Sequence, residues 1–393
     1  MIILHEQEVH QQPRLLAEAW DRPATFALLP ERLNITEDWL NQSLSLIPEE
    51  LRRDHFIMLT SGTTGYPKII LGVRARAERL VEILHRRQQS QDVKETISVL
   101  PLSYSYAFVN QWLWSQVMGR RFVTTHGFTD PKSLKEILAA ANDAMICMVG
   151  IQVPLLLRYL ADASFPGVIR VHFAGGRFPQ ERLGELRALF PNALFFNNYG
   201  CAEAMPRLTL RPADACADAA NIGHPLEGIQ MRDTEDHAVL FRSPYGAVGF
   251  IDEMKFIPIT PEDWIPSGDL GELQKDGSWR LLGRASEVFK RHGEKVSIAA
   301  LTTTVTGIWP GQCAFYREVD PVGEDGCVLT ISPAAAATDL KAILLALRNH
   351  HPRAHWPLRI ECADQLPLLP NGKVDVRALP TLPAKTILWR QHI

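Results

Sequence analysis

Short apolar runs alternate with amphipathic segments of about ten residues between positions 56 and 200. The apolar runs have the length of buried strands, and the amphipathic segments repeat apolar residues at helical spacing. Strands separated by such helices predict βαβ units and a mainly parallel sheet. The predicted strands lie at 56–59, 121–125, 144–149, 168–174 and 193–196, and the predicted helices at 133–141, 154–162 and 180–190.

The pattern changes after position 220. Between 221 and 283, glycine, proline and short strand-like runs predict a small antiparallel β region. Strand-like and helical segments then alternate between 285 and 380, and the last dozen residues look like a tail. We therefore expect an α/β protein with a large N-terminal domain, residues 1–283, followed by a small α+β C-terminal domain, residues 284–393.

Three polar loops, at 60–68, 175–179 and 197–203, each follow a predicted strand. Ligands of parallel α/β sheets bind beyond the carboxyl ends of the strands. We therefore expect these loops to converge at one edge of the sheet and to form a binding site there.

The loop at 60–68 reads Thr-Ser-Gly-Thr-Thr-Gly-Tyr-Pro-Lys. Glycines allow backbone N–H groups to approach an anion closely, serine and threonine hydroxyls add donors, and lysine adds a positive charge. The loop is therefore suited to phosphate, although it lacks the spacing of a Walker A loop. Taken alone, a polar surface turn is the alternative interpretation.

Composition narrows the function further. The formal net charge of −3 provides no basic field for nucleic acid or an anionic membrane. The six cysteines lie far apart without a C-x-x-C pair, which argues against a disulfide framework or a common zinc site. No signal-peptide pattern begins the chain, and the longest apolar stretch, 144–160, is interrupted by polar residues and proline. We expect a cytoplasmic protein.

Five further motifs follow the 60–68 loop along the chain. A chance match to any one of them is common, but an ordered set is specific. They are Asn197-Asn198-Tyr199-Gly200-Cys201-Ala202-Glu203, Ile222-Gly223-His224-Pro225, Ser267-Gly268-Asp269, the segment from Gly283-Arg284-Ala285-Ser286 to Glu294, and Leu369-Pro370-Asn371-Gly372-Lys373.

In this order, the six motifs resemble those of the adenylate-forming superfamily, which includes acyl- and aryl-CoA synthetases, adenylation domains of peptide synthetases, and luciferases. The resemblance implies ATP and Mg²⁺ as cofactors and CoA or phosphopantetheine as the acyl acceptor. It also implies two half-reactions. A carboxylate first reacts with ATP to form an acyl-AMP and release pyrophosphate, and the acyl group then passes to a thiol while AMP leaves. The C-terminal domain would be mobile and would rotate about a hinge at Ser286 between the two.

The resemblance also assigns roles to residues. Glu203 would hold Mg²⁺, and Lys373 would reach between the carboxylate and the α-phosphate, where its charge favours the transition state. The phosphate loop, with Thr60, Ser61, Gly62, Thr63, Thr64, Gly65 and Lys68, would hold the β- and γ-phosphates.

The resemblance implies that the remaining nucleotide contacts come from three motifs. Tyr199 would stack on adenine, and Asn197 would hydrogen-bond its amino edge. Asp269 would accept hydrogen bonds from the ribose hydroxyls, with help from Arg284. Gly200 and Ala202 complete the nucleotide-binding turn.

Each of these residues has a plainer alternative when it is taken alone. Glu203 would suit a helix N-terminus, and Asp269 would suit an ordinary turn. Tyr199 would suit a core, and Lys373 a solvated loop. The order of the motifs favours the functional interpretation.

The chain departs from the family pattern at three places. The phosphate loop begins at residue 60, so the usual first subdomain is largely missing or replaced by residues 1–55. The open flank that this leaves would suit a dimer partner or a protein substrate. Ala202 stands where the family has threonine, and a lost hydrogen bond to a charged group costs about 1.5–3 kcal/mol. Ser286 replaces the hinge aspartate.

The substrate pocket is expected around residues 100–108. Amino-acid-activating relatives carry an aspartate there, and this chain has none. Tyr104, Tyr106 and Phe108 favour an aryl or other hydrophobic acid, although Phe108 would equally suit the core. Gly175 and Gly176 would let the acyl group approach the backbone closely.

These observations predict an ATP-dependent acid–thiol ligase that transfers its acyl group to a carrier-protein phosphopantetheine or to CoA. The reduced N-terminal region favours the carrier protein slightly. The alternative from another class is a non-catalytic relative that binds a nucleotide or an acyl group.

Overall fold

The computed structural model describes residues 1–31, 35–60, 67–160, 162–333, 335–368 and 374–391. The chain divides into two units. Three strands, Ala238–Arg242, Ile265–Leu273 and Trp279–Arg284, contribute residues to both. Unit 1 contains Met1–Thr234, Val239–Ser267 and Glu272–Arg280, and unit 2 contains Glu235–Ala238, Gly268–Gly271 and Leu281–Ile393.

The N-terminal segment contributes two strands to a six-stranded sheet in unit 1. Strand β1 pairs parallel with β2, β2 pairs parallel with β3, and β3 pairs antiparallel with β4. Residues 1–55 therefore contain both strands and helices. The elements are β1 (Ile2–His5), α1 (Glu6–Gln11), α2 (Arg14–Asp21), β2 (Phe26–Leu29), α3 (Glu37–Ser45), a 3₁₀ turn (Glu49–Leu51), β3 (His55–Thr60) and β4 (Lys68–Val73).

A five-stranded parallel region forms the centre of the second sheet of unit 1, as the sequence predicted. Its order is β9-β8-β7-β5-β6. Buried residues such as Ile146, Leu156 and Phe173 form a core between the strands and their helices. The elements are α4 (Arg74–Arg87), β5 (Glu95–Ser98), α5 (Ser105–Ala107), a π-helical segment (Phe108–Leu113), α6 (Trp114–Val117), β6 (Arg121–Thr124), a 3₁₀ turn (Gly127–Thr129), α7 (Pro131–Ala139), β7 (Ala144–Val149), a 3₁₀ turn (Gly150–Gln152), α8 (Val153–Leu160), β8 (Val168–Ala174), a 3₁₀ turn (Gln180–Arg182), α9 (Leu183–Leu189) and β9 (Leu194–Tyr199).

The strands between 209 and 284 include the antiparallel β region that the sequence predicted, and they extend the two sheets of unit 1. β14 pairs antiparallel with β4 and extends the first sheet, whereas β10 pairs antiparallel with β9 and extends the second. Both sheets therefore gain antiparallel strands from this region. The elements are 3₁₀ turns at Ala202–Ala204 and Ala213–Ala215, β10 (Thr209–Pro212), β11 (Asn221–Pro225), β12 (Gln230–Asp233), β13 (Ala238–Arg242), β14 (Gly249–Asp252), β15 (Lys255–Pro258), β16 (Ile265–Leu273) and β17 (Trp279–Arg284).

Unit 2 is an α+β unit with a hairpin and a four-stranded sheet of order β20-β21-β22-β23. The prediction of a C-terminal tail is wrong, because β23 pairs antiparallel with β22. Helices α10 and α11 pack buried leucines and isoleucines into the core of this unit. The elements are a 3₁₀ turn (Ala285–Glu287), β18 (Val288–Arg291), β19 (Glu294–Ser297), α10 (Ile298–Thr306), β20 (Gln312–Val319), β21 (Asp325–Ser332), α11 (Ala337–His350), a 3₁₀ turn (Arg353–His355), β22 (Arg359–Cys362) and β23 (Thr386–Arg390).

None of the helices in the described ranges combines the length and the apolar character that crossing a bilayer requires.

Candidate functional site

The strands on either side of the predicted phosphate loop are antiparallel neighbours. Thr60 ends β3 and lies opposite Lys68, the first residue of β4. The pairing brings the two ends of the loop together where β3 ends and β4 begins. The intervening loop residues lie outside the described ranges, as does Lys373, so their predicted roles stay predictions. The affected loop residues are Ser61, Gly62, Thr63, Thr64 and Gly65.

A contact between two sequence motifs forms the centre of the candidate site. Lys68 donates from Nζ to Oε1 of Glu203 over 3.1 Å. Glu203 lies in the 3₁₀ turn that follows β9, in the second sheet, whereas Lys68 belongs to the first. Our expectation that the loops converge at one edge of a single sheet is therefore wrong, because two sheets supply the motifs.

The end of β9 presents the residues expected at the adenine. Asn197 donates from Nδ2 to the carbonyl of Asn221 at 3.1 Å, and Tyr199 is buried. At Gly200, an added Cβ would lie 1.9 Å from the carbonyl oxygen of Pro206. Only glycine therefore fits where the chain turns from β9 towards Ala202 and Glu203.

The loop after β8 lies beside this turn, because β8 and β9 are parallel neighbours. Asn198 on β9 donates to the carbonyl of Phe173 on β8 at 3.1 Å. Gly175 has a φ of 70°, a conformation that favours glycine, and Gly176 is exposed with open space around its Cα. The two predicted glycines therefore follow the end of β8 that lies beside Asn197 and Asn198 on β9.

The three aromatic residues of the predicted pocket occupy different environments. Tyr106 is half-buried, and its hydroxyl lies 3.5 Å from Nδ2 of Asn198. Phe108 is fully buried, with its ring centroid 5.2 Å from that of Phe56 and 4.9 Å from that of Trp112. Tyr106 thus borders the end of β9, while Phe108 packs in the core, the role that its sequence left open.

The third aromatic residue, Tyr104, adjoins the N-terminal helix α1. Burial, reinforced by the nearby Glu6 carboxylate, raises the pKa of Tyr104 to about 12. Glu6 also accepts hydrogen bonds from the backbone N–H and the hydroxyl of Ser103, at 3.2 and 2.7 Å. The N-terminal segment therefore hydrogen-bonds to the predicted pocket region through Glu6.

A buried polar network that the sequence did not reveal lies behind Tyr106. Arg207 is 1% exposed and donates to the side-chain oxygens of Asn198 and Asn110, the latter at 2.9 Å. Its guanidinium carbon lies 5.3 Å from the centre of the Tyr106 ring. No carboxylate among the described residues pairs with Arg207, whose pKa burial lowers. The flanking residues Pro206 and Leu208 form no pattern that would predict a buried arginine at position 207.

The network includes a thiol. Asn110 donates to Sγ of Cys147 at 3.0 Å. Burial raises the pKa of Cys147 to about 11, so the thiol is protonated at neutral pH and is a poor nucleophile. The network therefore supports the wall beside Tyr106 and does not supply a reactive group.

The predicted ribose residues belong to unit 2. Arg284 pairs from Nε with Oδ1 of Asp269 over 3.0 Å, and Asp269 is largely buried while Arg284 is half-exposed. The adjoining Gly268 has a φ of 81°. Ser286, the predicted hinge, lies in the 3₁₀ turn Ala285–Glu287.

The Glu203 carboxylate could serve as a ligand of an Mg²⁺ ion that binds together with a nucleotide. No group of three or more metal-binding side chains lies together within the described ranges. Mg²⁺ is commonly held by one or two carboxylates together with substrate phosphates and water, so the single Glu203 carboxylate is sufficient for that arrangement.

Comparison with known protein families gives one match over most of the chain. The model of the family described as AMP-binding enzyme matches residues 3–244.

Curated relatives of this chain include a synthase and a ligase. The chain is 26% identical to tyrocidine synthase 3 of Brevibacillus parabrevis over 366 residues, which cover 86% of this chain and 6% of that protein. It is 24% identical over 346 residues to D-alanine--D-alanyl carrier protein ligase of Staphylococcus haemolyticus, covering 81% of this chain and 69% of the ligase. The chain thus spans a small part of the first relative and about two thirds of the second.

Solved structures share the fold. An anthranilate CoA ligase in complex with anthranoyl-AMP superposes with a TM-score of 0.71 at 14% identity, covering 96% of this chain and 77% of the ligase. An O-succinylbenzoate CoA synthetase from Bacillus subtilis in complex with AMP has a TM-score of 0.70 at 16% identity, covering 96% and 82%.

Proposed function

Because the chain belongs to the AMP-binding enzyme family, within the adenylate-forming superfamily, we propose that it is an ATP-dependent acid–thiol ligase. A carboxylate oxygen attacks the α-phosphorus of ATP, the bond to the bridging oxygen breaks, and pyrophosphate leaves. A thiol then attacks the acyl carbon and loses its proton to solvent, and AMP leaves. The products are a thioester, AMP and pyrophosphate.

The contact between Lys68 and Glu203 is the observation that carries this proposal. It places a cation from the phosphate-loop strand 3.1 Å from the carboxylate proposed to hold Mg²⁺. Positive charge around the phosphates reduces the repulsion between a carboxylate and ATP, and bound Mg²⁺ supplies further charge neutralisation. Tyr199 and Asn197 would bind adenine beside it, and Asp269 with Arg284 would bind the ribose.

We infer that the acid is aryl or hydrophobic and is not an amino acid. Residues 100–108 contain no aspartate to pair with an α-amino group, and Tyr106 offers an aromatic surface at the end of β9. For the acceptor, the relative named as a carrier protein ligase supports phosphopantetheine on a carrier protein, with CoA as the other candidate.

Hydroxamate trapping tests the first half-reaction without knowledge of the acceptor. The protein is incubated with Mg·ATP, hydroxylamine and a panel of aryl, fatty, short-chain and amino acids. We expect hydroxamates and pyrophosphate with aryl or hydrophobic acids. The absence of both with every acid would overturn the proposal, and preference for amino acids would overturn its substrate class.

The second candidate function is non-catalytic binding of a nucleotide, which Ala202 supports because it lacks the family's threonine hydroxyl. The variant Lys373→Ala separates the two functions. A ligase should lose adenylate formation while retaining nucleotide binding, and Lys341→Ala, which removes an exposed lysine on α11, should retain both. Equal behaviour of the two variants would favour the binding protein.

A further inference from the structure

Lys68 lies between two carboxylates, and the second belongs to neither sequence motif. Its Nζ is 3.1 Å from Oε1 of Glu203 and 3.9 Å from Oδ2 of Asp252. The same Nζ lies 4.4 Å from the centroid of the Phe250 ring. The ammonium therefore lies close to three groups that attract a cation, namely two carboxylates and one aromatic ring.

Strand pairing places Asp252 there. β4 and β14 are antiparallel, with Ile69 opposite Ile251 and Ile70 opposite Phe250. This register brings Lys68, the first residue of β4, next to Asp252, the last residue of β14. The position of Asp252 is thus fixed by the backbone, on a rigid sheet.

A metal ion bound at Glu203 would repel the Lys68 ammonium, because both are positively charged. Glu203 is the proposed Mg²⁺ ligand, yet its Oε1 now accepts a hydrogen bond from Lys68. A divalent cation and an ammonium at one carboxylate repel each other strongly, since all three side chains are less than one third exposed and water screens them incompletely. Lys68 must therefore leave Glu203 or weaken the metal site.

We propose that Asp252 is a positioning residue that receives the Lys68 ammonium when Mg·ATP occupies Glu203. Asp252 keeps Lys68 beside the phosphates while it frees Glu203 for the metal. The inference rests on the proposed function, because it concerns the same nucleotide site. Lys68 needs to move by little, since Asp252 already lies within 4 Å of it.

Equilibrium binding of Mn²⁺ together with a non-hydrolysable ATP analogue, followed by electron paramagnetic resonance, tests the role directly. In Asp252→Asn, Lys68 stays on Glu203 and competes with the metal, so the Mn²⁺ concentration for half-saturation should rise about two- to fivefold. The matched control is Glu253→Gln, which removes the adjacent, exposed carboxylate and should bind Mn²⁺ as the unaltered protein does.

A double-mutant cycle supplies the second measurement. When Lys68→Met removes the ammonium, Asp252→Asn should no longer affect Mn²⁺ binding, because no cation then competes at Glu203. Asp252→Glu retains the carboxylate and should restore most of the affinity. These variants also guard against a loss of affinity that arises from misfolding of Asp252→Asn.

Unchanged metal–nucleotide binding in Asp252→Asn, or an equal loss in Glu253→Gln, would overturn the inference. So would additive effects in the double mutant. If the unaltered protein binds the metal–nucleotide but traps no hydroxamate, the proposed function fails and the inference about Asp252 stands. If it binds no metal–nucleotide at all, the inference fails.

Discussion

At Gly200, the turn from β9 into the candidate site has no space for a side chain. The carbonyl oxygen of Pro206 is a backbone atom, so it cannot move aside as a flexible side chain would. The motif glycine is therefore required by packing, independently of any contact with a nucleotide.

We predict that Gly200→Ala lowers the free energy of unfolding by roughly 1–3 kcal/mol, because the turn must shift to admit the methyl group. Urea unfolding measures the change. Gly184→Ala is the control, since an added Cβ meets nothing within 4 Å in α9, and alanine stabilises a helix by about 1 kcal/mol relative to glycine. Equal destabilisation by both would contradict the steric account.

His172 is a second residue whose environment has a measurable consequence. It is fully buried, its ring stacks on Phe196 at 4.9 Å, and its Nε2 has no hydrogen-bond partner among the described residues. Burial, together with the nearby Arg207 and Arg170 cations, holds the pKa of His172 well below its ordinary value.

This lowered pKa predicts a pH dependence of stability. Below about pH 6.5 the unfolded chain binds a proton at this histidine while the folded chain does not, so stability falls as pH falls, by up to about 1.4 kcal/mol per pH unit. His172→Phe keeps an aromatic ring and should flatten the pH profile of unfolding between pH 5 and 7. His224→Gln, which removes an exposed ring in the same unit, should leave the profile unchanged.

At the scale of elements, ion pairs hold the last strand of unit 2. Glu361 on β22 is 4% exposed at its side chain and pairs with Arg359 at 2.6 Å and with Lys385 at 2.9 Å. Lys385 immediately precedes β23. Burial would raise the pKa of Glu361, but the hydrogen bonds from Arg359 and Lys385 outweigh it and lower the pKa.

We predict that Glu361→Ala lowers the free energy of unfolding of unit 2 by about 3 kcal/mol, because it leaves the largely buried Lys385 ammonium without a counter-charge and removes one of the two carboxylates that pair with Arg359. Hydrogen exchange should also become faster at the amides of 386–390. The control, Asp325→Ala, removes half of an exposed pair with Arg317 and should cost at most about 1 kcal/mol. Similar costs for the two substitutions would refute the role assigned to burial.

For the molecule as a whole, the predicted nucleotide-binding, metal and hinge residues are divided between two units. Lys68, Glu203 and Tyr199 belong to unit 1, whereas Asp269 and Ser286 belong to unit 2. The proposed function therefore draws on residues of both units, and the role of Ser286 as a hinge stays a prediction.

We predict that Ser286→Pro slows thiol transfer by about tenfold, equivalent to about 1.4 kcal/mol in the barrier, while adenylate formation continues. Proline suits the φ angle of a 3₁₀ turn but prevents the backbone rotation that a hinge needs. Pyrophosphate release and thioester formation are measured separately. Ser286→Ala should retain both rates, and a parallel loss of both rates in the proline variant would exclude the hinge.

Local patterns along the chain were sufficient to predict the alternation of strands and helices in the parallel region, the α+β character of the C-terminal region and the family. These features depend on local periodicity and on short motifs, in which neighbours along the chain carry the information. For example, strands 144–149 and 168–174 coincide with the observed β7 and β8. The short strands β1, β2 and β23 were not predicted, because runs of four or five residues do not by themselves distinguish a strand from a helical segment.

Which residues meet was decided by contacts between distant parts of the chain. Asp252 has no motif around it. It became part of the candidate site because β14 pairs with β4, which places Phe250 opposite Ile70, 180 positions away. Arg207 likewise reaches Asn110 from 97 positions away. Such contacts depend on strand register and burial over long separations, which local sequence patterns do not encode.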